Sequence, residues 1–100
     1  MPMKAPSPAA RQAAEMLAIQ ALTFIAEEPE RFSRFLELSG IEGALLRAAA
    51  SEPGFLAGVL EHMLGDESLL IAFADSAGID PAEIARARSA LGGKGRHVAP

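Results

Sequence analysis

The sequence contains no cysteine, no tryptophan and no tyrosine, and its only aromatic side chains are five phenylalanines. Without thiols there is no disulfide scaffold, no thiolate metal site and no thiol nucleophile. Two valines stand against 21 alanines and 12 leucines, so the residues that favour strands are scarce and helix formers abound. No segment alternates apolar and polar residues with a period of two for long enough to make a strand. Long apolar runs are missing too. The longest uncharged window near the start, residues 16–26, falls well short of the ~20 residues that cross a bilayer. Glu15 stands at its entrance, Gln20 and Thr23 interrupt it, and no small-x-small cleavage pattern precedes Glu27. The window therefore reads as a structural helix and not a secretory signal, and the protein is expected to be cytoplasmic with no membrane association. A surplus of positive charge is also lacking. The net charge of −4 makes the whole molecule a poor match for nucleic acid or anionic lipid.

What is present is the composition of one folded domain: 50% hydrophobic residues and 22% charged ones over 100 residues. Residues 1–6, with two prolines, read as a flexible start, residues 7–91 as the helical domain, and residues 92–100 as a flexible basic tail. Ser7-Pro8 supplies an N-cap and a first-turn proline for a helix reaching Ala26. Glu28-Pro29 restarts the chain as a second helix with Phe32, Phe35, Leu36 and Leu38 at helical spacing, and Gly40 suits the left-handed position after its end. A short third helix is expected over residues 42–50. Ser51-Glu52-Pro53 opens a fourth with a cap, an acid and a proline in the first turn, and its stripe of Phe55, Leu56, Val59, Leu60, Met63 and Leu64 faces inward while Gly58 and Glu61 face out. Asp66 caps a fifth helix that ends before Gly78. Asp80-Pro81-Ala82-Glu83 combines an N-cap, a first-turn proline and a capping-box acid ahead of the sixth. The expected fold is thus all-α, a single compact bundle of about six short helices.

Sliding residues 15–51 over residues 53–89 without a gap gives seven identities in 37 positions, where this composition gives about four by chance. Their placement matters more than their number. Gly40-Ile41-Glu42 falls on Gly78-Ile79-Asp80, and Leu17, Ala21 and Ile25 fall on Phe55, Val59 and Met63. The alignment predicts two packed three-helix units related by a 38-residue internal duplication.

Two helices carry more apolar surface than one small core absorbs. In the first, Leu17, Ala21, Phe24 and Ile25 form one stripe, while Met16 and Ile19 lie nearly opposite beside Thr23. In the fifth, Leu69, Leu70, Ile71 and Phe73 spread almost all round. A helix apolar on every side is central to its bundle or covered by a partner. Met16, Ile19 and Thr23 are the candidate partner-binding face.

Candidates for chemistry are fewer. His62, Asp66 and Glu67 approximate the helical spacing of metal ligands, but Gly65 ends the helix between them and Asp66 is needed as a cap. Gly92-Gly93-Lys94-Gly95 lacks the strand and spacing of a phosphate-binding loop. Glu27, Glu28 and Glu30 sit at a helix junction, where acids complement a helix N-terminus, and no serine has the elbow or histidine of a nucleophile. No catalytic residue, cofactor or metal is expected. Residues 27–83 hold twelve acids and three arginines, while residues 84–100 hold Arg86, Arg88, Lys94 and Arg96 and no acid. The cations lack an aromatic stacking partner, so Arg86 and Arg88 are assigned to the end of the sixth helix rather than to nucleic acid.

Five junctions, Ala18-Ile19-Gln20-Ala21-Leu22, Glu28-Pro29-Glu30-Arg31-Phe32, Ser51-Glu52-Pro53-Gly54-Phe55-Leu56, Asp66-Glu67-Ser68-Leu69-Leu70 and Ala77-Gly78-Ile79-Asp80-Pro81, carry a resemblance. Over residues 14–91 the chain resembles a family of small, uncharacterised, all-helical alphaproteobacterial proteins grouped as a domain of unknown function. The resemblance implies an architecture and no catalytic residue, and it leans toward a signalling-accessory role. The expectation is a non-catalytic module that binds another protein or itself. The alternative is a small enzyme or metal-binding protein using His62 and nearby carboxylates.

Overall fold

Proline opens four of the six described helices, at a position where its missing N–H costs no hydrogen bond. The computed structural model describes residues 7–92 and runs α1 (Pro8–Ala26), α2 (Pro29–Ser39), a 3-10 turn (Gly43–Leu45), α3 (Leu46–Ala49), α4 (Pro53–Leu64), α5 (Glu67–Ala77) and α6 (Pro81–Ala90). The assignments for residues 1–6 and 93–100 lie outside the described residues. Ser7 accepts from Ala10 N at 3.1 Å, Asp66 from Leu69 N at 3.2 Å and Asp80 from Ala82 N at 2.9 Å, each satisfying an orphan donor of a first turn. Gly40 and Gly78 end α2 and α5 with φ of +74° and +71°, the left-handed conformation that a Cβ disfavours. Among the described residues no helix is long and apolar enough to cross a membrane.

Three local expectations need correction. The third helix is a 3-10 turn followed by a single α turn, because Glu42 makes no side-chain cap and Gly43 follows it. Ser51 does not cap α4; Glu52 holds that place, and the Ser51 hydroxyl turns back to donate to the Ala48 carbonyl at 3.0 Å. Glu61 is not on a bare solvent face, since its carboxylate accepts from Arg88 Nε at 2.8 Å and ties α4 to α6.

The core is apolar throughout, with no buried polar side chain among the described residues. From α1 it takes Ala14, Ala18, Ala21 and Ile25, spaced i, i+4, i+7 and i+11 along one face. The small size of the three alanines suits the packing of α4 and α6 against α1. The helix most enclosed is α4, which buries Leu56, Ala57, Val59, Leu60 and Met63 and packs on α1, α5 and α6. The sequence pattern singled out α1 and α5 as the all-round apolar helices, yet both keep a bare side: Met16 and Ile19 on α1 and Ile71 on α5 are exposed.

Two aromatic contacts relate the halves of the chain. Phe24 of α1 meets Phe73 of α5 at 5.4 Å between centroids, and His62 of α4 meets Phe35 of α2 at 5.1 Å. The offset of 38 that takes 24 to 62 also takes 35 to 73, so the two pairs correspond with the halves exchanged. The third elements do not correspond. Ten-residue α6 lies along α1 and α4, whereas α3 is a single turn with little hold on α4.

Candidate functional site

Met16, Ile19 and Thr23 sit at i, i+3 and i+7 of α1, so they share one face of the helix. That face is open: Met16 is 62% exposed, Ile19 is 47% exposed, and Thr23 is exposed beside them. The Thr23 hydroxyl donates to the Ile19 carbonyl at 3.0 Å. Its proton is thereby used within the helix, which removes a free donor from the end of the apolar stripe beside Ile19. Met16 also stands at the lip of a cleft of about 460 Å³ between α1 and α6, with Leu17 and Gln20 on one wall and Glu83, Arg86 and Ala87 on the other.

His62 lies half-buried on the third turn of α4, its ring edge-on to Phe35 at an interplanar angle of 80°. Burial of the ring lowers its pKa below the ordinary histidine value. The Asp66 carboxylate partly opposes that shift and Arg34 reinforces it. The neutral imidazole is therefore favoured. A cleft of about 300 Å³ beside it is lined by Arg31, Arg34, His62, Asp66 and Ser68, a mixed set of charges. Asp66 keeps the capping role expected of it. Among the described residues no group of three or more histidine, aspartate or glutamate side chains could hold a metal ion, so Glu67 does not join His62 and Asp66 in one. His97 lies outside the described residues.

Glu28 and Glu30 occupy the N-cap and first turn of α2, where acids complement the helix dipole, and Glu27 follows the last turn of α1. The residue that organises this junction is Arg31, which the sequence did not mark. Its Nη1 donates to the Phe24 carbonyl at 2.8 Å, adding a short bond to a last-turn acceptor that Glu27 N reaches only at 3.3 Å. Its guanidinium also lies 4.2 Å from the centre of the Phe24 ring and 3.7 Å from Glu28. Arg88 does the same service for α6: besides pairing with Glu61, its Nη1 donates to the Gly92 carbonyl at 2.8 Å. Arg88 and Arg86 both lie in the C-terminal half of α6 as expected, and Arg86 also lines the α1–α6 cleft. Lys94 and Arg96 lie outside the described residues.

A further groove, also unmarked in the sequence, runs between α2 and α4. Phe35, Leu38, Ile41 and Phe55 wall it, and Gly54 and Gly58 leave the helix backbone bare along it. The exposed, helically spaced Leu38, together with two glycines inside an otherwise apolar helix, was the available signal.

No curated protein and no solved structure matches the chain. Residues 11–94 match the model of a family described as a protein of unknown function, DUF3572, and the chain belongs to that family.

Proposed function

We propose that the protein is a non-catalytic interaction module, a signalling accessory of the bacterial cytoplasm. In this reading it binds another protein or a second copy of itself through Met16, Ile19 and Thr23. The observation that supports this reading is the α1 face itself. Two large apolar side chains stand open to water one turn apart, and the Thr23 hydroxyl one turn further on is turned back into the helix. A single exposed apolar residue is ordinary on a protein surface, but a stripe along a helix marks a place for a partner. The acidic body, −9 over residues 27–83, favours a protein partner over nucleic acid.

Ile19→Asp tests it. The charge at an exposed position is expected to leave far-UV helicity and Tm unchanged. It should abolish self-association in sedimentation, or capture of a near-stoichiometric partner by the tagged protein. A variant that folds, assembles and captures as the parent does removes this face from the function.

A further inference from the structure

We infer that the groove between α2 and α4 is the seat of a short basic amphipathic helix belonging to a partner protein. The correspondence of the two halves locates the seat. Met16, Leu17 and Gln20 of α1 line the cleft whose far wall is α6, and the offset of 38 carries these residues to Gly54, Phe55 and Gly58 of α4. Those three line the α2–α4 groove. The far wall there should come from α3, but α3 is one turn long, and the chain beyond α2 contributes only Ile41. Where this face of α1 looks across its cleft to α6, the matching face of α4 has no third-element helix opposite it and borders a groove of about 460 Å³ against α2.

The shape of the groove suits a helix. Phe35 and Phe55, 6.0 Å apart in an edge-to-face contact, and Leu38, 67% exposed, supply apolar walls. A Cβ placed on Gly54 or Gly58 would meet nothing within 4 Å. Packing inside the chain therefore does not account for either glycine, one in the first turn of α4 and one in its interior, where Gly58 weakens the helix. An incoming helix would approach this bare backbone more closely than any side chain allows.

The charge selects the partner. Residues 35–61, from which most of the groove is drawn, carry Glu37, Glu42, Glu52 and Glu61 against Arg47, and with Glu61 paired to Arg88 the local net is −2. Glu37 adjoins Leu38, Glu42 adjoins Ile41, and Glu52 stands at the N-terminus of the helix that bears Gly54. A helix with leucine-like residues on one face and lysine or arginine on the flanks meets both features.

The experiment measures binding of the full chain to a labelled 14-residue peptide with Leu at i, i+3, i+4 and i+7 and Lys elsewhere. A counterpart with Glu in place of Lys serves as the control. The Leu/Lys peptide is expected to bind, and the Leu/Glu peptide at least about tenfold more weakly. Gly58→Leu, which fills the groove without changing charge, should weaken binding about tenfold while Tm holds or rises. Should Gly58→Leu lower Tm, Gly54→Leu blocks the other end and is held to the same result. Ile19→Asp should bind the peptide as the parent does, which separates this seat from the α1 face. Equal binding by parent and by groove-filled variants overturns the inference, as does equal binding of the two peptides. A dimer that Gly58→Leu dissolves would make a second copy the occupant. Tighter peptide binding after removal of residues 93–100 would make it the chain's own tail. Either result also overturns the inference.

Discussion

Residues 15–51 and 53–89 each contribute a helix, a second helix ended by a left-handed glycine, and a third element. In the first two helices several core positions at this offset are buried alike, although others differ, as exposed Ile19 does from buried Ala57. Ala21 and Val59 are both fully buried, as are Ile25 and Met63, and Phe35 and Phe73 are 2% and 3% exposed. The third elements then part company, and two residues account for it. Asp80 accepts from Ala82 N and Pro81 fixes the first helical φ, whereas Glu42 caps nothing and Gly43 adds backbone freedom. In consequence Ile84 is fully buried while its counterpart Leu46 is only half-buried. The ion pair that fastens α6 has no counterpart either, since the positions equivalent to Glu61 and Arg88 are Thr23 and Ala50. A similar core pattern thus supports a complete helix on one side and a residual turn on the other, and the difference begins at a helix cap.

The most damaging way to test the agreement is to truncate its two matched aromatics. Phe35→Ala and Phe73→Ala should each cost about 3–5 kcal/mol, a large share of the roughly 5–15 kcal/mol that holds a domain of this size. Urea unfolding monitored by circular dichroism measures both. Costs that differ by more than about 2 kcal/mol would show that the halves share a burial pattern without sharing its energetics. Next in size come the glycines. Gly40→Ala and Gly78→Ala should each destabilise by about 1–2 kcal/mol, because nothing crowds the added methyl and the left-handed φ alone opposes it. Gly58→Ala, in the interior of α4 with equal room, should stabilise by about 0.5–1 kcal/mol.

The divergence can be narrowed by grafting. Glu42 already holds φ −76° and ψ 138°, within a few degrees of the φ −77° and ψ 134° of Asp80, so the backbone is set for a cap that the side chain does not make. Glu42→Asp with Gly43→Pro should add helical signal near 222 nm and about 1 kcal/mol of stability. A proline at this first helical position takes away no helix hydrogen bond, and the nearest atom to a Cβ there is Leu36 Cδ1 at 3.9 Å. If the helical signal stays the same, the segment after residue 45, and not the cap, is what shortens α3.

Much of this architecture was readable beforehand because it is written in local chemistry. Proline at first turns, Asp66 and Asp80 at caps, and Gly40 and Gly78 at ends act within four residues of themselves, so α1, α2, α5 and α6 begin where the sequence placed them. The exposed stripe of Met16 and Ile19 followed from helical spacing in the same way. What escaped the sequence depends on contacts distant along the chain. Arg31 reaches back seven residues to the Phe24 carbonyl, and Arg88 reaches 27 residues to Glu61. Spacing ranked α1 and α5 as the helices apolar all round, but only the docking of α6 along α1 and α4 made α4 the enclosed one. The α2–α4 groove escaped for a related reason, because it exists through the shortness of α3.

The finest test concerns the one matched pair in which the halves differ by a titratable ring. Phe24 packs on Phe73, and its counterpart His62 packs on Phe35. Burial holds the His62 pKa below 6.5 in the folded chain, so between the folded value and 6.5 the unfolded chain binds a proton that the folded chain refuses. The contribution of this ring to stability is therefore complete above pH 6.5 and is lost as the pH falls through the folded pKa. Because the ring is only half-buried, solvent screening keeps this the smallest of the effects. His62→Phe restores the pair of the other half and removes the proton site. Thermal melts of parent and variant should run parallel above about pH 7 and separate below about pH 6.5, with the parent losing Tm faster. Arg34→Gln should reduce that separation, because Arg34 is one of the groups that lowers the pKa. Parallel melts down to about pH 5 would mean that the His62 ring titrates alike in the folded and unfolded chains, and that the aromatic pairs of the two halves are electrostatically interchangeable.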